Sequence, residues 1–346
     1  MTKTHWAFLL ALAMLVSFGC GQTEQEIDTA AADPAEEEMS AVEIAYEAAS
    51  EAYDATEDPE KQLDISMAFL EKFPDSERTD NVLRGATEVL FDELDRPEEA
   101  FALIDQYLPQ ISDPGVKLEA QKILAVLHSK AGNLDELDAL AQAMEQEHEF
   151  KYTDYLDLME TGTEAEAWEL VIQQADASLA LANPEAFQAQ YDDISEENAQ
   201  KWGRRREAFS AAHKGWAQEN LGQNEAALAT FAENAEKTTF SFLGVDDTPL
   251  HINWGKSLIR QGKPEDAMEI LEAEALFGPK EAEEAYSEAW MASHDNDEGL
   301  EEHLWALRQR NSAPLPQFAL ANYDGETIDT ADFKGNVILV AAWFPT

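Results

Sequence analysis

From Ala41 to about Arg310 the apolar positions recur with the period of amphipathic helices separated by short polar breaks, and strand-like two-residue alternation is absent. Helices of about 10 to 18 residues divide that span into roughly a dozen to fifteen. Starts are marked where a capping side chain precedes proline, at Asp58-Pro59, Asn183-Pro184 and Thr248-Pro249. Asn133-Leu-Asp-Glu136 and Thr163-Glu-Ala-Glu166 have the spacing of a capping box and predict two more starts. The pattern changes at both ends. Residues Gly21 to Ser40 hold almost no large apolar group, so they cannot bury enough surface to order themselves and read as a tether. Near the other end, Pro314 to Leu320 reads as extended, Asn322-Tyr-Asp-Gly325 as a hairpin turn and Glu326-Thr-Ile328 as the return strand. The unbroken apolar run Val337-Ile-Leu-Val-Ala-Ala-Trp343 reads as a strand covered on both faces.

Self-similarity refines the helical region. Gly215 is followed seven residues later by Gly222, five later by Ala227 and four later by Phe231, and Gly255, Gly262, Ala267 and Leu271 keep the same spacing. Small residues let two helices approach closely, and the middle glycine permits the turn between them. These segments resemble tetratricopeptide repeats, which stack helical hairpins with a period of about 34 residues. Upstream, Arg96 to Ile104 and Gly132 to Leu140 keep the turn and second-helix pattern but lose the first-helix signature. Phe69-Leu-Glu-Lys-Phe-Pro-Asp-Ser76 resembles the segment that closes a repeat in exported helical-repeat lipoproteins. Such domains bind peptides or partner proteins along a concave surface, and that is the partner class expected.

Charge narrows the partners further. With 71 acidic against 23 basic residues the net charge is −48, which repels phosphate backbones and anionic membrane surfaces, so nucleic acid is excluded as a partner. The acidity fits either a solvated helical surface or adaptation to high salt. Lys3, the apolar run Ala7 to Val16 and the small residues Ser17 and Gly19 before Cys20 form an export signal. Cys20 is the single cysteine, and its position resembles the lipobox of bacterial lipoproteins, although Ser17 and Phe18 depart from the pattern. The resemblance implies acylation of Cys20, with a periplasmic or cell-envelope location and membrane contact only through the lipid; ordinary signal cleavage is the alternative.

Little in the helical region suggests chemistry. His294-Asp-Asn-Asp-Glu-Gly299 fails the spacing of a calcium loop, since with Asp295 first Gly299 is fifth and Ala306 twelfth; it reads as an inter-helix turn. The seven histidines form no metal-ligand set, and no phosphate loop or nucleophile motif occurs, so no cofactor, metal or catalytic residue is assigned. The one basic cluster, Lys201-Trp-Gly-Arg-Arg-Arg206, is followed by Trp216 on one long helix. It reads as a docking point for an acidic or C-terminal carboxylate ligand, or as neutralising Glu196, Glu197 and Glu207 by helical pairing.

The ending carries a second resemblance. Pro316-Gln-Phe-Ala-Leu320 following Leu315, then Asp324-Gly325, then Asp332-Phe-Lys-Gly-Asn-Val-Ile-Leu-Val340 and Trp343-Phe344 resemble the opening of the redoxin branch of the thioredoxin-like superfamily. That resemblance covers about a tenth of the chain. It implies a thiol–disulfide oxidoreductase (TlpA-like), or alternatively an AhpC/TSA-type peroxidase, whose reactive cysteine would lie beyond Thr346. The expected fold class is therefore mainly α, a tetratricopeptide-like solenoid followed by the first β-strands of a truncated thioredoxin-like α/β domain. The expected organisation is residues 1–20 signal peptide, 21–40 acidic tether, 41–310 helical repeats and 313–346 an incomplete redoxin domain. The remaining alternative is a non-enzymatic tetratricopeptide-repeat scaffold lipoprotein.

Overall fold

A computed structural model describes residues 40–191, 194–238, 248–311, 319–321 and 326–329. The first eight helices are α1 (Ala41–Asp54), α2 (Pro59–Lys72), α3 (Thr79–Glu88), α4 (Pro97–Tyr107), α5 (Pro114–Ala131), α6 (Leu134–Glu147), α7 (Tyr152–Glu164) and α8 (Trp168–Ala182). A short α9 (Pro184–Gln190) and a long α10 (Glu196–Asn220) follow, then α11 (Asn224–Asn234), α12 (Leu250–Arg260), α13 (Pro264–Phe277), α14 (Lys280–His294) and α15 (Leu300–Asn311). Two short strands, β1 (Ala319–Ala321) and β2 (Thr327–Asp329), pair antiparallel with Leu320 opposite Ile328. That pairing has the order the hairpin reading predicts, whereas Cys20, the tether up to Met39 and the run Val337 to Trp343 lie outside the described residues. Ser40, given to the tether, instead caps α1 by accepting from Glu43 N–H at 3.1 Å.

What makes the helices into hairpins is one recurring turn. After α5, α10 and α12 the chain passes through Gly132, Gly222 and Gly262 at φ 72°, 73° and 71°. The next N–H reaches back five residues, Asn133 to His128 (2.9 Å), Gln223 to Gln218 (2.8 Å) and Lys263 to Leu258 (2.9 Å), which satisfies carbonyls that the helix end would leave bare. The same turn follows α7 without glycine: Glu166 sits at φ 57° and Ala167 N–H bonds the Gly162 carbonyl at 2.8 Å. It recurs after α3, where Asp95 sits at φ 55° and Arg96 N–H bonds Leu90 O at 2.8 Å. There a π-helical turn, Val89–Glu93, adds a residue to the span. The sequence pattern marks the glycine turns and the turn that opens the Arg96 to Ile104 segment, but neither the left-handed Asp95 nor the turn at Glu166, because only tertiary packing holds such a residue left-handed.

The Thr163 to Glu166 capping box is accordingly corrected: it is the end of α7, with the Thr163 hydroxyl donating to Met159 O at 2.7 Å. Asn133 and Asp58 stand at N-caps but make no side-chain cap bond, and Pro249 rather than Thr248 occupies the cap of α12. Asn183 behaves as expected, accepting from Ala186 N–H at 2.8 Å.

Packing inside each hairpin follows the small-residue logic. A Cβ on Gly215 would lie 2.6 Å from Phe231 Cζ, and one on Gly255 would lie 2.5 Å from Leu271 Cγ, so each glycine is the seat of a large side chain from the second helix. The α5–α6 hairpin distributes volume differently. Ala125, Leu137 and Ala141 stand at the positions of Gly215, Ala227 and Phe231, and all three are buried in one cluster. The first-helix signature is thus exchanged for the second helix's small residue, with the packing kept. This defines a mainly α solenoid of stacked helical hairpins.

One irregularity interrupts the stack. α9 lies between the α7–α8 and α10–α11 hairpins, and Gly203 of α10 makes room for it, since a Cβ there would lie 2.5 Å from the Pro184 backbone. Among the described residues no helix is long and apolar enough to cross a membrane.

Candidate functional site

The first helices of successive hairpins lie side by side: α3 against α5, α5 against α7, α7 against α10, α10 against α12 and α12 against α14. The second helices touch one another less, α13 against α15 being the pair that does, so the stack is tighter along the first helices, whose shared inner face forms a groove. Side-chain bonds between neighbouring first helices mark which residues face sideways. Lys122 reaches Asp154 (2.6 Å), Tyr152 OH donates to Arg206 O (3.0 Å), Thr163 meets His213 (3.3 Å) and Ser257 donates to Glu219 (2.7 Å). The residues between those sideways faces and opposite the second helices line the groove: Arg84 and Glu88 on α3, Glu119 on α5, Asp157, Glu160 and Glu164 on α7. On α10 they are Trp202, Arg205, Phe209, Trp216 and Asn220, which fall on one helical stripe, with His213 at its edge against Thr163 of α7.

Over α3 to α7 this face is acidic. Lys122 is almost fully buried in it and is held by Glu119 (2.8 Å), Asp154 (2.6 Å) and Asp157 (2.9 Å). Burial alone would lower its pKa, but the three carboxylates outweigh that and raise it, so Lys122 is a fixed cation and no nucleophile. Around it a cleft of about 630 Å³ is lined by Leu118, Glu119, His148, Lys151, Asp154 and Asp157, among others. Glu88 and Glu160 are open to water yet walled by protein, and that burial pushes both carboxyl groups up; Asp157 and Glu164 add to the effect at Glu160. Burial likewise raises Asp157, with Lys122 opposing.

Over α10 and α12 the groove becomes aromatic and cationic. The Arg205 guanidinium lies 5.5 Å from the Trp202 ring and 4.9 Å from Phe209, and Arg260 lies 4.3 Å over Trp216 while donating to Asn220 at 3.1 Å. Lys256 stands one turn before Arg260 on α12. Between the two halves sits His213, which burial lowers to about 4, leaving it neutral at pH 7.

The basic cluster is split by the structure. Arg206 is buried, stacked on Tyr152 (4.6 Å) and Phe187 (4.3 Å) with Nη1 donating to Gln190 at 3.0 Å, so it pins α9 to α10 rather than meeting a ligand. Glu207, expected to pair within the cluster, bonds Lys237 at 3.2 Å instead, because α10 turns it toward the segment that follows α11 in its own hairpin. Arg205 joins the groove, and Lys201 and Arg204 are exposed. His294 to Gly299 is an inter-helix turn, with Asp295 at φ 62° leading into α15. Among the described residues no group of three or more His, Cys, Asp or Glu is placed to hold a metal ion.

No family model and no curated protein matches the chain. Among solved structures it is similar to the TPR2AB domain of yeast Sti1 in complex with pHSP90, at 14% identity over 78% of this chain and 97% of that one, with a TM-score of 0.28. At that level of likeness the repeat assignment rests on this chain's own turns and helix contacts.

Proposed function

We propose that residues 41–311 are a scaffold that binds a protein or peptide partner along the groove formed by α3, α5, α7, α10, α12 and α14. The observation that carries this reading is the continuous run of first helices, whose inner face presents charged and aromatic side chains rather than a closed active site. A photo-crosslinking residue at Phe209 or at Glu160 is expected to capture the same partner, while one at Ala139, exposed on α6, captures none. Equal capture from α6, or none from the groove, overturns the proposal.

A second reading concerns residues 313–346. The antiparallel pairing of β1 with β2 supports a redoxin-type opening, which would place the reactive cysteine of a thiol–disulfide oxidoreductase after Thr346. Under that reading the groove selects the substrate protein. Extending the coding sequence past Thr346 tests it: a Cys-x-x-Cys motif is expected, a lone cysteine after Thr-x-x points to the peroxidase, and neither refutes both. Export and acylation at Cys20 belong to the same proposal, and the mass of the mature N-terminus checks them; an unmodified Cys20 removes the lipid anchor.

A further inference from the structure

In a chain of net charge −48, most cations of the described residues are locked to carboxylates, as Arg78 is to Glu43, Arg96 to Glu60 and Glu99, Lys130 to Asp92 and Lys214 to Asp176. α12 departs from that rule. Among the described residues Lys256 meets no carboxylate, and Arg260 is held only by the Trp216 ring and the Asn220 amide. Such a guanidinium is braced and oriented without being neutralised. Two first helices away, the groove carries the opposite charge: Glu160 and Glu164 stand on α7 beside Asp157, and the carboxyl group of Glu160 is raised by burial first and then by Asp157 and Glu164.

We infer that the partner segment is bipolar, with an acidic stretch lying over Lys256, Arg260 and Trp216 and a basic stretch over Asp157, Glu160 and Glu164. This rests on the scaffold reading and names the partner's chemistry. Charge complementarity fixes the occupant: a purely basic segment leaves the α10–α12 cations unanswered, and a purely acidic one meets the repulsion of α3 to α7. Two helix spacings of about 8–10 Å separate the patches, roughly 20 Å, which an extended peptide crosses in about six residues.

The test uses the full chain and fluorescent peptides carrying a Lys block and a Glu block separated by about six neutral residues. Anisotropy is expected to show this peptide binding at least tenfold tighter than Lys-only or Glu-only peptides, with the advantage falling as salt rises. Lys256→Glu with Arg260→Glu is expected to reduce the bipolar peptide to the Lys-only level, and Glu160→Lys with Glu164→Lys to the Glu-only level. Lys256→Gln with Arg260→Gln, which reverses no charge, should lose at least threefold and guards against misfolding of the first pair. Equal binding of bipolar and Lys-only peptides, or indifference to these substitutions, overturns the inference. If the bipolar peptide fails while Phe209 and Glu160 still crosslink one partner, the inference falls and the scaffold stands; if the crosslinks fail too, both fall.

Discussion

Replacing Gly215 by alanine tests the helix–helix contact on which the hairpin geometry depends. The added Cβ would lie 2.6 Å from Phe231 Cζ and 2.9 Å from Cδ1, against an optimum of about 3.5–4.0 Å, so the ring must retreat by about 1 Å. Phe231 is fully buried, and overpacking a buried side chain costs about 1–3 kcal/mol. Alanine returns about 1 kcal/mol of helix propensity, which leaves a net loss of about 0–2 kcal/mol. Phe231→Ala alone should cost about 3–5 kcal/mol through the cavity it opens. In the double variant the clash is gone, and the pair reproduces the Ala125–Ala141 arrangement of the α5–α6 hairpin. The two losses should therefore fail to add, with a coupling of about −2 kcal/mol. Gly222→Ala is the control: at φ 73° with open space around its Cβ it should lose about 1 kcal/mol by backbone strain alone and add normally to Phe231→Ala. Urea unfolding followed by circular dichroism, with hydrogen exchange of α10 and α11 amides, reads the wild type and all five variants. A coupling within about 0.5 kcal/mol of zero would refute the close-approach argument.

Asp154→Ala leaves the buried Lys122 with the partly exposed Glu119 and Asp157 and removes the acceptor for Lys151 N–H, so a loss of about 3 kcal/mol is expected in urea unfolding. Lys122→Met should restore part of it in the double variant, and no restoration would contradict the picture of an uncompensated charge. His213 has its folded pKa depressed to about 4 from 6.5, so the unfolded chain binds more protons between those values. Its stabilising effect is full above pH 6.5 and is lost as pH falls toward 4, by at most about 3 kcal/mol. Glu88, Asp157 and Glu160 run the other way, their raised folded pKa values adding stability as pH falls, so the quantity to measure is the difference between wild type and His213→Gln across that window; a flat difference rejects the assignment. Glu166→Gly should stabilise by about 0.5–1 kcal/mol by relieving the left-handed backbone at φ 57°, and a lower melting temperature would show that the Glu166 side chain contributes more than its strain.

The helical class, the number of helices and the two hairpins built on Gly222 and Gly262 were legible in the sequence because periodicity and glycine turns are local signals. The turn at Glu166 was not, and at the turn before Arg96 to Ile104 the left-handed Asp95 was not, since an acidic residue in a left-handed turn is indistinguishable in sequence from a helix start. Thr163 to Glu166 shows the consequence: its capping-box spacing is real, but packing of Gly162 against Val171 and the bond from Ala167 to Gly162 make it a helix end. The basic cluster was likewise visible at Lys201 to Arg206, while its division into a buried pin and a groove residue depended on α9, which only the fold brings against α10.

Sequence by itself determined composition, charge, the period of the helices and the small residues that let them approach. Tertiary structure decided which face of each first helix stays open. Asp157, Glu160, Trp202, Arg205, Trp216 and Arg260 come from three helices spread over more than 100 positions, and they share one groove because α7, α10 and α12 stack side by side. Helical period places each residue on its own cylinder; only contact between cylinders sets which stripes adjoin.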